Sequence, residues 1–332
     1  MGRIIGLMLA LLPLTVAATS QAQAPIQPAV VYSVGGKQDT SINESVSRGV
    51  MRFWRASQVE VAEVEPKEVS EFEPALRRLA RAGFQPIVAV GSLQGPAVSK
   101  VALDFPETSF ALLDGELFMP NVRSITFKEH QATFLLGMLA TMASKTAKVG
   151  FVGGMDVPLI RRYQCGYAQG IRFVNPRVEL IASMTGTTSA AWSDPARGAE
   201  LARAQFARGA DVIYAAAGGT GMGVVRAAKE NGKLAIGDAE QYRLFPGTML
   251  SALIKHFDDA TYETLAIATR GRWKGGRTQL GLDQNAIGWA HDENNKALVS
   301  REMKARIDDA HERINEGKIA VHDYMADNSC PL

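Results

Sequence analysis

The sequence has only two cysteines, Cys165 and Cys330, and five scattered histidines, His130, His256, His291, His311 and His322. With no cysteine pair and no closely spaced histidine pair, a metal site built from these residues has no support. A surplus of either charge is missing too, since 36 Lys and Arg face 34 Asp and Glu. No basic block with interleaved aromatics occurs, which argues against nucleic acid as a partner. Neither G-x-x-x-x-G-K-[ST], G-x-S-x-G nor H-E-x-x-H is present, and the glycine-rich stretch 218–223 does not have the G-x-G-x-x-G spacing. Catalysis, cofactors and metals are therefore left without a motif, and no enzyme activity is expected. A long apolar run is also lacking: residues 4–14 fall short of the ~20 needed to span a bilayer.

That short run follows Arg3 and precedes a small-residue tail over residues 15–24, the pattern of a secretory signal peptide. Pro25 disfavours a cut after Ala24, so cleavage is expected after Ala22, making residues 1–22 the signal. No cysteine lies near this site, so no lipid anchor is expected and the mature protein should diffuse in the periplasm. In that oxidising compartment Cys165 and Cys330 are expected to form a disulfide. The 46% hydrophobic and 21% charged content is that of a globular protein, and the length suggests two domains of about 150 residues each. No low-complexity linker separates them, which favours several short crossings and hinge closure.

From residue 29 onward, short apolar runs alternate with helix-like segments, the sign of parallel strands joined by crossover helices. The organising stretch is 148–176: an apolar strand at 149–152, a tight turn at Gly153-Gly154, then a helix capped by Asp156 and stopped by Asn175-Pro176. Ser70 and Glu73 are expected to form a capping box, and Asp194-Pro195 to open another helix. Short polar groups stand at strand ends: Asp39 to Asn43, Ser92, Asp114, Gly218 to Gly221 and Asp238. In open parallel sheets such positions line a ligand cleft, although each one alone also reads as a cap or turn former. Carboxylates suit a ligand rich in hydroxyl or N–H donors. Trp192 reads either as a plate for a flat ligand or as a staple on the helix that follows it.

Several longer motifs resemble one family. V-G-F-V-G-G-M-D-V-P-L-I-R-R-Y (149–163), G-Y-A-Q-G-I-R-F-V-N-P (166–176), F-K-E-H (127–130), W-S-D-P-A-R-G (192–198) and G-A-D-V-I-Y-A-A-A-G-G-T-G (209–221) are similar to the basic membrane protein family, which includes purine nucleoside receptor lipoproteins. The resemblance implies an α/β type I periplasmic binding fold, two Rossmann-like lobes with parallel sheets joined by three hinge crossovers. It places residues 25–127 and about 247–275 in the N-terminal lobe, and 128–246 and about 276–332 in the C-terminal lobe. It further implies an ABC importer, with an inner-membrane permease as partner, a purine nucleoside or base as ligand, and a monomer.

Carried over by position, Asp39, Ser41, Ile42 and Asn43 fall on the family's D-K-S-F-N turn, with Asp39, Asn43 and Asp114 facing the base. Trp192 takes a stacking position, Gly218 and Gly219 a close backbone approach, and Asp238 with Lys255 the sugar hydroxyls. Ile42 replaces the motif's aromatic, and the usual G-V-D is shortened to Gly237-Asp238. A free base or another flat heterocycle is therefore an alternative to a nucleoside. A sugar or signal-molecule receptor on the same fold, and a nucleoside-processing enzyme, are the competing readings.

Overall fold

The computed structural model describes Gly2 and residues 26–332 apart from Thr40. The expected signal peptide otherwise lies outside the described residues. Among those described, no helix is long and apolar enough to cross a membrane.

The chain builds β1 (Ala29–Val31), α1 (Ile42–Ser57), β2 (Ala62–Val64), α2 (Phe72–Arg81), β3 (Ile87–Val90), α3 (Gly95–Asp104), β4 (Phe110–Leu113) and β5 (Val122–Phe127). It continues with α4 (Glu129–Ala143), β6 (Lys148–Met155), α5 (Pro158–Val174), β7 (Glu179–Gly186), α6 (Pro195–Ala207), β8 (Val212–Ala216), α7 (Gly221–Glu230), β9 (Leu234–Asp238), α8 (Ala239–Tyr242) and β10 (Met249–Lys255). Last come α9 (Phe257–Thr269), β11 (Gly276–Leu280), β12 (Ile287–Trp289) and α10 (Arg301–Asn315). The strands form two six-stranded sheets, β11-β5-β4-β3-β1-β2 and β12-β10-β9-β8-β6-β7. Every pairing is parallel except β10 with β12.

Strand residues divide by the two-residue period. Val30, Tyr32, Val88, Val90, Ala111 and Leu113 join the large core, while Ala29, Val31, Ile87, Ala89, Phe110 and Leu112 join a second core with residues of α2 and α3. Burial on both faces explains why β3 and β4 are uninterrupted apolar runs.

The chain passes between the sheets three times, after β5, β10 and β11. The lobe boundaries expected from the sequence are corrected here. β10 extends the second sheet by pairing with β9, and β11 extends the first by pairing with β5. It is α9 that crosses, with the Asp258 backbone so close to α1 that a Cβ at Gly49 would lie 2.5 Å from its carbonyl oxygen. Periodicity marks 249–254 as a strand but does not say which sheet it joins.

Local differences have equally local causes. The expected turn at Gly153-Gly154 is instead the continuation of β6. Asp156 does not cap α5; it forms a two-bond ion pair with Arg161, at 2.7 and 2.6 Å. The Ser70–Glu73 box is not formed, because Ser70 turns to Glu68 and Glu73 to Arg77. Asp194 does cap α6, accepting from the Arg197 amide at 2.9 Å. α3 had no sequence expectation, and Gln94, at its start, bonds three carbonyls at the ends of β1 and β3.

Candidate functional site

The strand ends converge on Lys255, the last residue of β10 before the chain changes lobes. Its ammonium donates to Asp114 Oδ1 at 2.5 Å, Glu129 Oε1 at 2.7 Å and the Tyr163 hydroxyl at 3.1 Å. These three partners match its three protons. The rings of Phe127, Phe257 and Tyr163 surround it at 4.7, 4.8 and 5.6 Å, adding cation–π attraction. Asp114 reaches Lys255 from the other lobe, on a backbone with φ +62°, a region that Asp tolerates better than most side chains.

Behind Lys255 the charges continue to alternate. Glu129 Oε2 accepts from Arg162 Nη1 at 2.8 Å, and the same nitrogen donates to the Phe127 carbonyl at 2.7 Å. Arg162 then forks onto Asp323, with Nε 2.7 Å from Oδ1 and Nη2 bonded to Oδ2. The side chains of Lys255, Glu129 and Arg162 are only 6%, 1% and 4% exposed, so each charge depends on its neighbours for the solvation it has lost. Burial alone would pull the Lys255 ammonium down, yet Asp114 and Glu129 hold it above the ordinary lysine value. Burial likewise pushes Glu129 up, but Lys255 and Arg162 outweigh it and keep the carboxyl below its usual range. Asp114 is raised by burial, reinforced by Glu129 and opposed by Lys255. Burial also puts the Tyr163 phenol well above its usual value, with Glu129, Asp114 and Asp238 adding to the effect.

The packing that brings these groups together depends on glycine. A Cβ on Gly166 of α5 would lie 2.5 Å from the His130 carbonyl, and one on Gly170 would lie 1.9 Å from that of Phe134. α5 therefore rests backbone to backbone on α4, which places Arg162 beside Glu129.

The turn before α1 uses its polar groups differently from the sequence expectation. Asp39 accepts from the amides of Ser41, Asn43 and Glu44 at 2.9, 3.2 and 3.2 Å. Burial raises its carboxyl, and those amides oppose the rise. Asn43 is fully buried and bonds Ser33 and Gly36. Both side chains hold the turn, and it is Ser41 that reaches the other lobe, with its hydroxyl 3.3 Å from Asp238 Oδ2. Ile42, the first residue of α1, packs half-buried against the large core.

Trp192 lies on Gly154 at the end of β6, where a Cβ would stand 2.5 Å from Cζ3 of the indole. Gly218 and Gly219 approach it from the end of β8, with Gly218 at φ +53°. Thr220 locks the two turns, accepting from the Asp194 amide at 2.7 Å and donating to the Ala191 carbonyl at 2.8 Å. The ends of β6, β8, β9 and β10 thus present Trp192, Gly218, Asp238 and Lys255 in sheet order.

Glu129, Arg162, Tyr163 and Asp323 had no assigned role in the sequence reading. The available signal was a charge among apolar positions, Glu129 opening an apolar helix and Arg162 between Ile160 and Tyr163 on the buried side of α5. Cys165 and Cys330 are bonded, as expected. Among the described residues, His256, Asp258 and Asp259 could approach one ion, but Arg52 holds Asp259 at 2.7 Å.

With this geometry in place, the comparisons with known proteins agree on one relationship. The Bmp family, described as ABC transporter substrate-binding protein PnrA-like, matches residues 26–323. A CD4+ T-cell-stimulating antigen of Listeria monocytogenes is 28% identical over 88% of this chain and 87% of its own. An uncharacterized lipoprotein of Pyrococcus abyssi is 31% identical over 80% of this chain and 69% of its own. The crystal structure of an ABC transporter solute-binding protein from Aeropyrum pernix superposes with a TM-score of 0.81 at 26% identity, covering 89% of this chain and 93% of that one.

Proposed function

This chain belongs to the Bmp family of PnrA-like ABC transporter substrate-binding proteins, and we propose that it binds a purine nucleoside or purine base between its two lobes. The family consists of solute-binding proteins rather than enzymes, works outside the cytoplasm, and delivers a small molecule to a permease. The observation that carries the purine reading is the indole of Trp192, laid on Gly154 beside the strand ends that hold Asp238 and Lys255. A flat ring stacks on the indole, a contact worth ~1–3 kcal/mol for a base. Asp114 accepts from its N–H edge, Asp238 accepts from sugar hydroxyls, Ser41 accepts from or donates to them, and Gly218 and Gly219 let the ligand approach the backbone. Asp39 and Asn43 shape the turn that presents Ser41 and Ile42. The lobes close by rotation about the three crossings. The mature protein acts as a free periplasmic monomer after removal of residues 1–22.

Asp114, Glu129, Asp323 and Asp238 outnumber Lys255 and Arg162 along this chain of charge, which suits a neutral donor-rich ligand and disfavours a phosphorylated one. A simple sugar satisfies the same carboxylates, and Ile42, standing where the family motif has an aromatic and packed half-buried against the core, supplies no second ring, which favours that second reading.

Calorimetric titration of ligand-stripped, refolded protein separates the two. The panel is adenosine, guanosine, adenine, adenosine monophosphate, a pyrimidine nucleoside, glucose and ribose. Tight binding of a purine base or nucleoside, with the monophosphate rejected, supports the proposal; binding of sugar alone, or of none of the panel, overturns it.

A further inference from the structure

The C-terminal segment lies outside the proposed pocket, yet it ends the charge chain that begins there. After α10 the chain returns across α5. There the Gln169 side chain and the His322 backbone exchange hydrogen bonds at 3.0 and 2.8 Å, and Cys330 is bonded to Cys165. Between these two fastenings Asp323 receives the fork of Arg162, three residues before Cys165 on the same helix. Arg162 has one end on Asp323 and the other on Glu129, and Glu129 divides its two oxygens between Arg162 and Lys255.

We infer that Asp323 is a positioning residue for the ligand site, acting through Arg162 and Glu129 to hold the Lys255 ammonium against Asp114. The disulfide-tied segment thereby helps to set ligand affinity. This inference rests on the proposed contact of the ligand with Asp114, which Lys255 holds in place.

The physical reason is competition for one carboxylate. A guanidinium prefers a two-bond fork on a single carboxylate. While Asp323 provides that fork, Arg162 needs only one oxygen of Glu129, and the other is left for Lys255. Without Asp323 the buried guanidinium keeps the neutral Gln279 amide oxygen, 3.1 Å from Nη2, but Glu129 is its remaining anionic partner, and the freed N–H groups turn toward it because an unsatisfied buried charge is costly. Lys255 then loses one of its two anionic partners. Asp327 serves as the internal control: it lies on the same segment, where its partners among the described residues are His322 and Ser329.

Two readouts on the intact mature protein test this. The first is the affinity for the purine that binds best in the panel. The second, which needs no ligand, is the 15N–1H signal of the Lys255 ammonium, identified by its absence in Lys255→Met and sharp only while its protons are held in hydrogen bonds. Asp323→Asn is expected to weaken binding about tenfold and to broaden the Lys255 signal. Asp323→Glu should recover part of both, and Asp327→Asn should change neither. Reducing the disulfide of the wild-type protein should act in the same direction as Asp323→Asn, and it supplies the measurement if that variant does not fold. Wild-type affinity and a sharp Lys255 signal in Asp323→Asn would overturn the inference, as would an equal loss in Asp327→Asn. If the wild type binds nothing in the panel, the purine reading fails by itself, and the Lys255 signal still decides the role of Asp323.

Discussion

Lys255 Nζ lies 2.5 Å from Asp114 Oδ1, and this ion pair joins the end of a strand in one lobe to the end of a strand in the other. The pair is buried, so removing one member costs more than the pair contributes as a whole. Lys255→Met leaves Asp114 and Glu129 close together without their shared cation and is expected to cost about 3–5 kcal/mol. Asp114→Asn keeps an acceptor for Lys255, while Glu129 still supplies a negative charge, so it should cost clearly less. Urea unfolding of the two variants measures the difference, and equal losses would count against a shared cation.

Trp192 depends on the missing side chain of Gly154. A methyl group there would stand 2.5 and 2.6 Å from two carbons of the indole, so Gly154→Ala must lift the ring. Overpacking of this kind costs about 1–3 kcal/mol in stability. Near-ultraviolet circular dichroism should show the altered indole, and purine affinity should fall toward that of Trp192→Ala. Unchanged purine affinity in both variants would remove Trp192 from the site.

His130 makes stability depend on pH. Burial lowers its imidazole to about 4, with Arg162 and Lys128 adding to the effect and Asp323 and Glu129 opposing it. The unfolded chain therefore binds a proton near the ordinary histidine value of 6.5 while the folded chain does not. The stability tied to the neutral ring is complete above that value and is lost as pH falls from about 6.5 to about 4, a change of about 3 kcal/mol. His130→Gln should flatten that part of the stability curve. Denaturant titrations at half-unit pH steps check it, and an unchanged slope would refute the assignment.

The Cys165–Cys330 bond closes a span of 165 residues and fastens the last residues of the chain to α5. Replacing both cysteines by serine is expected to cost about 2–4 kcal/mol. Limited proteolysis should then cut first within residues 325–332, because the remaining anchors, Ile319 in the large core, Gln169 on His322 and Arg162 on Asp323, all lie before them. Protection equal to wild type would show that the segment docks without the bond.

The sequence by itself determined most of the elements and much of their order, although not α3 or the full length of β6. Apolar runs such as Ile87–Val90 and Phe110–Leu113 are strands because residues buried on both faces leave a continuous apolar record. The long motifs were enough to indicate the family and its two lobes, and an even cysteine count with the expected secretory leader was enough to suggest the disulfide. Tertiary structure alone decided that β10 belongs to the second sheet and β11 to the first, since a strand's pattern records its burial and not its neighbour. It also decided that Asp39 and Asn43 are spent on their own turn while Ser41 crosses to Asp238. The connection of Asp114, Lys255, Glu129, Arg162 and Asp323 into one chain of charge was likewise decided only by the tertiary structure. Its members are separated by tens to hundreds of residues, and only the close packing of α4 on α5 and the return of the C-terminal segment bring them within hydrogen-bond reach.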